Sequence, residues 1–293
     1  YHVTSKDLVH WKDCGIGIIP TEYFESHGAF SGTGIVENDR LYLYYTGNTR
    51  DKEWVRHPYQ CLAIMDKDNN IIKNEKPVIG EVPEFYTDNF RDPKVFKDGE
   101  KYYCLIGAER KDNNLGTIAV YESVDLLNWK YKSEIKNNFY GNGFMWECPD
   151  YLDYGDKGVL IFSPQGMEPE GDKYKNIFQS GYLIGDKINF EDCEFKHGEF
   201  SELDRGFEFY APQTTRCEDG RHVLIGWMGL PEIEYPTDDN GWAHCLTLPR
   251  ELILQGDKLI QRPVKELESL RDFKVSKSYN LNNEEVTLEG FNE

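Results

Sequence analysis

Four stretches of the chain repeat one pattern of hydrophobic and polar positions: a short opening motif, an apolar strand, a turn holding Asp, Asn or Gly, and a second strand of aromatic and aliphatic residues. They open at Phe30-Ser31-Gly32, Arg91-Asp92-Pro93, Glu147-Cys148-Pro149 and Tyr210-Ala211-Pro212. The first runs to Gly47, the second to Gly107, the third to Phe162 and the fourth to Gly226. Runs of this kind, bounded by turn residues, predict strands rather than helices. Pro93, Pro149 and Pro212 stand 56 and 63 residues apart, and a period near 60 with about four strands per unit predicts the blades of a β-propeller.

A second echo fixes the phase of the repeat. Ser5-x-Asp7-Leu8-x-x-Trp11-Lys12 recurs as Ser123-x-Asp125-Leu126-x-x-Trp129-Lys130, in the second half of a unit. Residues 1 to 29 then correspond to the closing half of a blade whose opening half is not among these residues. Four whole blades and a half predict an all-β, five-bladed propeller with its first blade incomplete, over residues 1–269. Beyond Leu248-Pro249-Arg250-Glu251-Leu252 the periodicity fades, and residues 270–293 read as a linker and the start of a second β-domain.

Composition narrows the function. Aromatic residues make up 14% of the chain, as suits strands. The formal charge of -19 repels a phosphate backbone and argues against a nucleic-acid partner. Seven cysteines stand singly with no C-x-x-C pair, so neither a zinc knuckle nor a disulfide framework is implied, and a reducing, cytoplasmic setting fits them. No apolar run approaches the 18 residues that a membrane helix needs. The seven histidines show no H-x-x-x-H or H-x-H spacing, and Glu168 to Asp172 lacks the alternating ligands of a calcium loop, so no metal and no cofactor is expected.

The chemistry is expected in the opening motifs. In a propeller the innermost strand of every blade lines the central channel, so the starts of those strands converge. They present Ser31, Arg91, Asp92, Glu147, Cys148, Tyr210 and Gln213, and charges gathered in one funnel are costly unless paired or used. Glu147 is flanked by bulky apolar neighbours in Phe144-Met145-Trp146-Glu147-Cys148-Pro149-Asp150. Partial desolvation there would raise its pKa, as a general acid requires. Asp92 is stiffened by Arg91 on one side and Pro93 on the other.

These residues resemble glycoside hydrolase family 32, the invertases and sucrose-6-phosphate hydrolases. The matching strings are S-K-D-L-V-H-W (5 to 11), F-S-G (30 to 32), Y-T-G-N (45 to 48), F-R-D-P (90 to 93), W-E-C-P-D (146 to 150), D-R-G-F-E-F-Y-A-P-Q (204 to 213), G-W-M (226 to 228) and L-P-R-E-L (248 to 252). The resemblance implies a five-bladed propeller followed by a β-sandwich, and hydrolysis of a terminal β-fructofuranoside with retention. It implies that Glu147 is the acid/base, that Asp92 stabilises the transition state, and that Arg91 keeps Asp92 ionised while touching sugar or Glu147. Phe30, Ser31, Cys148, Tyr210 and Trp227 would shape the sugar pocket.

One departure from the family pattern is plain: the W-x-N-D-P-N-G segment holding the nucleophilic Asp is absent, and no Asn-Asp-Pro occurs anywhere. It belongs just before the stretch matching Tyr1 to Trp11, in the half-blade that the repeat places outside these residues. The chain alone is therefore expected to be inactive. The expected partner of the parent enzyme is a small neutral or phosphorylated fructoside, and the stretch from Asn48 to Tyr59, with Arg50, Arg56 and His57, is a candidate for meeting a phosphate. Two other readings are a non-catalytic sugar-binding propeller, which has no need of Glu147, and an arabinan- or xylan-cleaving propeller enzyme, which release of arabinose rather than fructose would reveal.

Overall fold

The computed structural model describes residues 1–139, 143–176, 178–231, 233–273 and 276–287. Four antiparallel sheets follow one another along the chain, each with its strands side by side in sequence order. The first blade comprises Ala29–Glu37, Arg40–Arg50, Arg56–Met65 and Ile71–Lys73; the second comprises Tyr86–Asp98, Lys101–Arg110, Gly116–Ser123 and Lys130–Glu134. The third comprises Met145–Asp153, Lys157–Gln165, Gly181–Asp186 and Ser201–Glu202. The fourth comprises Tyr210–Arg216, His222–Met228, Arg250–Gln255 and Lys258–Pro263, with Cys245–Leu246 added beside His222–Met228. The arrangement is all-β and propeller-like, and each expected opening motif lies on the innermost strand of its blade.

Blade faces bury side chains against the next blade, and this sandwiching gives the chain its core. Tyr44, Leu62, Tyr86, Phe90 and Ile106 join the first blade to the second. Tyr103, Ile118, Trp146, Leu160 and Phe162 join the second to the third, with Trp146 and Phe162 stacked at 4.4 Å. Leu152, Ile161, Phe209, Leu224 and Leu252 join the third to the fourth. The second strand of a blade is covered on both faces, so Tyr102 to Ala108 reads as an unbroken apolar run rather than an alternation.

Val3–Ser5 and Trp11–Asp13 form a separate two-stranded hairpin. Its turn is the turn of the second blade repeated. Asp7 accepts from the Val9 and His10 amides with Leu8 at φ 59°, and Asp125 accepts from the Leu127 and Asn128 amides with Leu126 at φ 65°. In the second blade that turn joins the third strand to the fourth, so the hairpin has the form of the outer half of a blade. A cleft of about 660 Å³, lined by Leu8, Leu43, Ile225, Trp227 and Leu246 among others, separates the first blade from the fourth. Lys265–Leu270 is a short 3-10 helix, and no strand follows it among the described residues. No helix is long and apolar enough to cross a membrane among the described residues.

Candidate active site

Every inner strand slips register at its opening motif: between Phe30 and Gly32, Arg91 and Lys94, Glu147 and Asp150, and Tyr210 and Gln213. In the last three the middle residue takes a left-handed backbone, Asp92 at φ 66°, Cys148 at φ 48° and Ala211 at φ 47°, and each precedes a proline. Non-glycine residues in that region cost of order 1–3 kcal/mol and persist where the surroundings dictate them, often at functional sites. The bulge changes which side chains face inward. It turns the first residue of one motif toward the first residues of the others, and the middle residue toward the neighbouring middle residue.

The first residues meet around Glu147. Arg91 donates through Nε (2.9 Å) and Nη2 (2.6 Å) to Glu147 Oε1, while Gln165 Nε2 and the Tyr210 hydroxyl donate to Oε2. Three blades thus supply one carboxylate with its partners. Burial, and then the Glu147 charge beside it, push the Tyr210 phenol above its ordinary value, so it stays a donor. The expected apolar surround of Glu147 is not what the fold makes: Met145 is buried, Trp146 packs into the core between the second and third blades, Phe144 is half exposed, and the carboxylate faces polar groups.

The middle residues meet around Asp92, which is 5% exposed. Its Oδ2 accepts from the Cys148 amide at 3.0 Å and the Cys148 thiol at 3.6 Å. Its own amide donates to Thr46 Oγ1 at 2.9 Å, and Thr46 donates to Gln60 at 2.8 Å. Burial raises the Asp92 pKa to about 6; the Arg91 charge opposes this and the Glu147 charge adds to it. Arg91 pulls the Asp92 pKa down while burial outweighs that pull, and the guanidinium itself hydrogen-bonds Glu147. Burial, with Asp92 and Glu147 nearby, raises the Cys148 thiol well above its usual value, which makes it a donor to Asp92 and a poor nucleophile.

Arg91, Asp92, Glu147, Cys148 and Tyr210 are brought together as the sequence predicts. Phe30 and Ser31 are exposed on the first blade, and Trp227 pairs across from Tyr210 while packing on His244 at 4.9 Å and lining the cleft. Among the described residues, no hydrogen bond or ring contact ties these three to the carboxylates. Gln213 faces the same cleft. Thr46, Asn89 and Gln165 belong to the site and were not foreseen. Asn89 accepts from Arg91 Nη1 at 3.0 Å and donates to Glu109 at 2.7 Å; its place two residues before Arg91, on the same strand face, was the available signal. Of the candidates for a phosphate contact, His57 is 3.0 Å from Asp51, Arg50 lies over the Trp54 ring, and Arg56 reaches Asn89 at 3.4 Å.

The description "Glycosyl hydrolases family 32 N-terminal domain" matches residues 1–263. The chain belongs to glycosyl hydrolase family 32. It is 46% identical to a sucrose-6-phosphate hydrolase of Staphylococcus xylosus over 92% of this chain and 54% of that protein. It is 43% identical to the Bacillus subtilis (strain 168) sucrose-6-phosphate hydrolase over 92% of this chain and 57% of that protein. Among solved structures, sucrose-6-phosphate hydrolase from Lactobacillus gasseri aligns with a TM-score of 0.88 at 39% identity, over 92% of this chain and 56% of that one. A family 32 β-fructofuranosidase of Bombyx mori, solved as a mutant in complex with sucrose, aligns with a TM-score of 0.84 at 38% identity, over 94% of this chain and 58% of that one. This family 32 chain spans little more than half the length of these relatives.

Proposed function

We propose that the protein to which this chain belongs hydrolyses terminal β-D-fructofuranosides, sucrose or its 6-phosphate and short fructans, by two displacements with retention. The observation that carries the reading is the buried meeting of Glu147 and Asp92, in a chain whose relatives include sucrose-6-phosphate hydrolases and a sucrose-bound β-fructofuranosidase. A carboxylate attacks the anomeric carbon of the fructose unit while Glu147 gives its proton to the departing oxygen, breaking the glycosidic bond. Glu147 then takes a proton from water, whose oxygen attacks the same carbon and releases the carboxylate. Asp92 accepts from fructose hydroxyls and holds them more tightly as positive charge develops on the ring. Arg91 and Tyr210 hold Glu147 in place. Phe30, Ser31 and Trp227 border the sugar, and the half-buried Arg56, whose Nε has no hydrogen-bond partner among the described residues, faces a phosphate on the leaving sugar.

The attacking carboxylate is not among these residues and belongs to the inner half of a fifth blade. The hairpin at Val3–Asp13 supports this, since it has the form of an outer half-blade, and so does the apolar cleft between the first and fourth blades. Residues 1–269 form the propeller unit, and 270–293 lead into a β-sandwich. The test compares this chain with the protein carrying a complete fifth blade. The chain alone should release no fructose from sucrose or sucrose 6-phosphate, and the longer protein should release it. In the longer protein Glu147→Gln and Asp92→Asn should each lower kcat by about 100-fold or more. Turnover within about threefold of the unsubstituted protein for both variants would show the assigned roles to be wrong.

A further inference from the structure

One step down the channel from the carboxylates, the same inner strands are tied together a second time. Lys94 lies two residues after Asp92, and Asp150 lies three after Glu147. Lys94 Nζ stands 2.9 Å from Asp150 Oδ1 as an ion pair, with the side chains 12% and 2% exposed. The same ammonium donates to the main-chain carbonyl of Thr214 at 2.8 Å. Asp150 Oδ2 accepts from the Thr214 amide at 2.7 Å and from its hydroxyl at 2.8 Å. One buried group of three residues therefore links the inner strands of the second, third and fourth blades.

Its location matters because of the bulges. In the second and third blades the pairing register breaks after the site residue and is re-established at the linked one, at Lys94 and at Asp150. Within a bulge the ladder does not fix a residue's height along the strand. Among the described residues the inner strands of neighbouring blades share no ladder, and apolar packing is non-directional, so it tolerates a small slide of one inner strand past its neighbour. Directional, charge-assisted hydrogen bonds such as those that join Lys94 and Asp150 each to Thr214 do not tolerate it. A buried ion pair is also a poor source of stability compared with apolar residues of the same volume, and fixing register is its best-attested use.

We infer that Lys94, Asp150 and Thr214 are positioning residues that set the heights of Asp92 and Glu147 relative to each other along the channel. The inference rests on the hydrolase reading for its kinetic test, though not for its structural one. The experiment uses the full-length protein with Lys94→Met and Asp150→Asn combined, which removes the ion pair without leaving a buried charge unpaired, and Lys94→Arg as the conservative change. The double variant should keep its melting temperature within about 5 °C. It should lose about 10- to 100-fold in kcat, since misplacement of an ångström costs that much, with KM changed less than about threefold. Lys94→Arg alone should retain at least half of kcat. A folded double variant with kcat within about threefold of the parent, or a loss in Lys94→Arg as deep as in the double variant, overturns the inference. If the unsubstituted protein releases no fructose, the hydrolase reading fails, and crystal structures of parent and double variant then decide the positioning role. A changed Asp92–Glu147 separation supports it and an unchanged one overturns it.

Discussion

Gly107 pairs directly across from Arg91 in the second blade, and a methyl group placed on it would lie 2.1 Å from the Trp146 carbonyl oxygen. The bare face of this glycine is what lets the inner strand of the third blade run close over the second. It is also what brings Glu147, the residue after Trp146, within reach of the Arg91 guanidinium. The meeting of the two motifs depends on a residue that takes no part in it chemically.

Gly107→Ala should therefore push the two blades apart. The obstruction is a main-chain carbonyl, which cannot rotate out of the way, so overpacking should cost about 1–3 kcal/mol. Urea unfolding measures this, and an unchanged midpoint would mean that the third blade moves freely over the second.

Asp92→Asn should change how stability depends on pH. The folded pKa of about 6 lies above the ordinary aspartate value of 3.8, because burial disfavours the charge. Between pH 4 and 6 the unfolded chain loses this proton and the folded chain keeps it, so stability attributable to Asp92 is present below pH 4 and lost as pH rises to 6. The Asn variant has no such loss. Its stability relative to the parent should rise across that window by on the order of 2–3 kcal/mol and then level off. Denaturant midpoints at a series of pH values test it, and a difference that stays flat would contradict the assignment.

Arg56→Gln should discriminate between substrates. Arg56 is half-buried, and burial together with the nearby Arg91 and Arg50 charges lowers its pKa against the opposite pull of Glu147 and Asp88, while its Nε has no hydrogen-bond partner among the described residues. A hydrogen bond to a charged group contributes about 1.5–3 kcal/mol, so on the proposed hydrolase reading KM of the longer protein for sucrose 6-phosphate should rise about 10-fold or more while its KM for sucrose changes little. Equal effects on both would remove Arg56 from phosphate recognition.

Thiol labelling should follow burial. All seven cysteines are free; Cys14 and Cys245 are exposed, Cys217 is intermediate, and Cys61, Cys104, Cys148 and Cys193 are buried. Burial also keeps those four protonated. Under native conditions an alkylating reagent should modify Cys14 and Cys245 first, with Cys148 modified only after unfolding, as peptide mass spectrometry would show. Rapid native labelling of Cys148 would mean that the Asp92 environment is open.

The sequence by itself determined the repeat, the strands within it, and the motifs that line the channel, because apolar runs, turn residues and their spacing are local properties that survive without coordinates. It also placed Arg91, Asp92, Glu147, Cys148 and Tyr210 in one neighbourhood, through their common phase in the repeat. It could not show that three of these motifs fold as bulges with left-handed residues before proline, since alternation of period two has no term for an extra residue. That bulge alone turns Glu147 away from its apolar neighbours and pairs Asp92 with Cys148. Thr46, Gln165, and the bond from Lys94 to Asp150 and Thr214 were likewise decided only by tertiary structure. Thr46 and the Lys94 group join residues from 46 to 120 positions apart on different blades, contacts that exist only once the blades pack together, while Gln165 lies outside any motif on the second strand of Glu147's own blade and reaches it only once those strands pair.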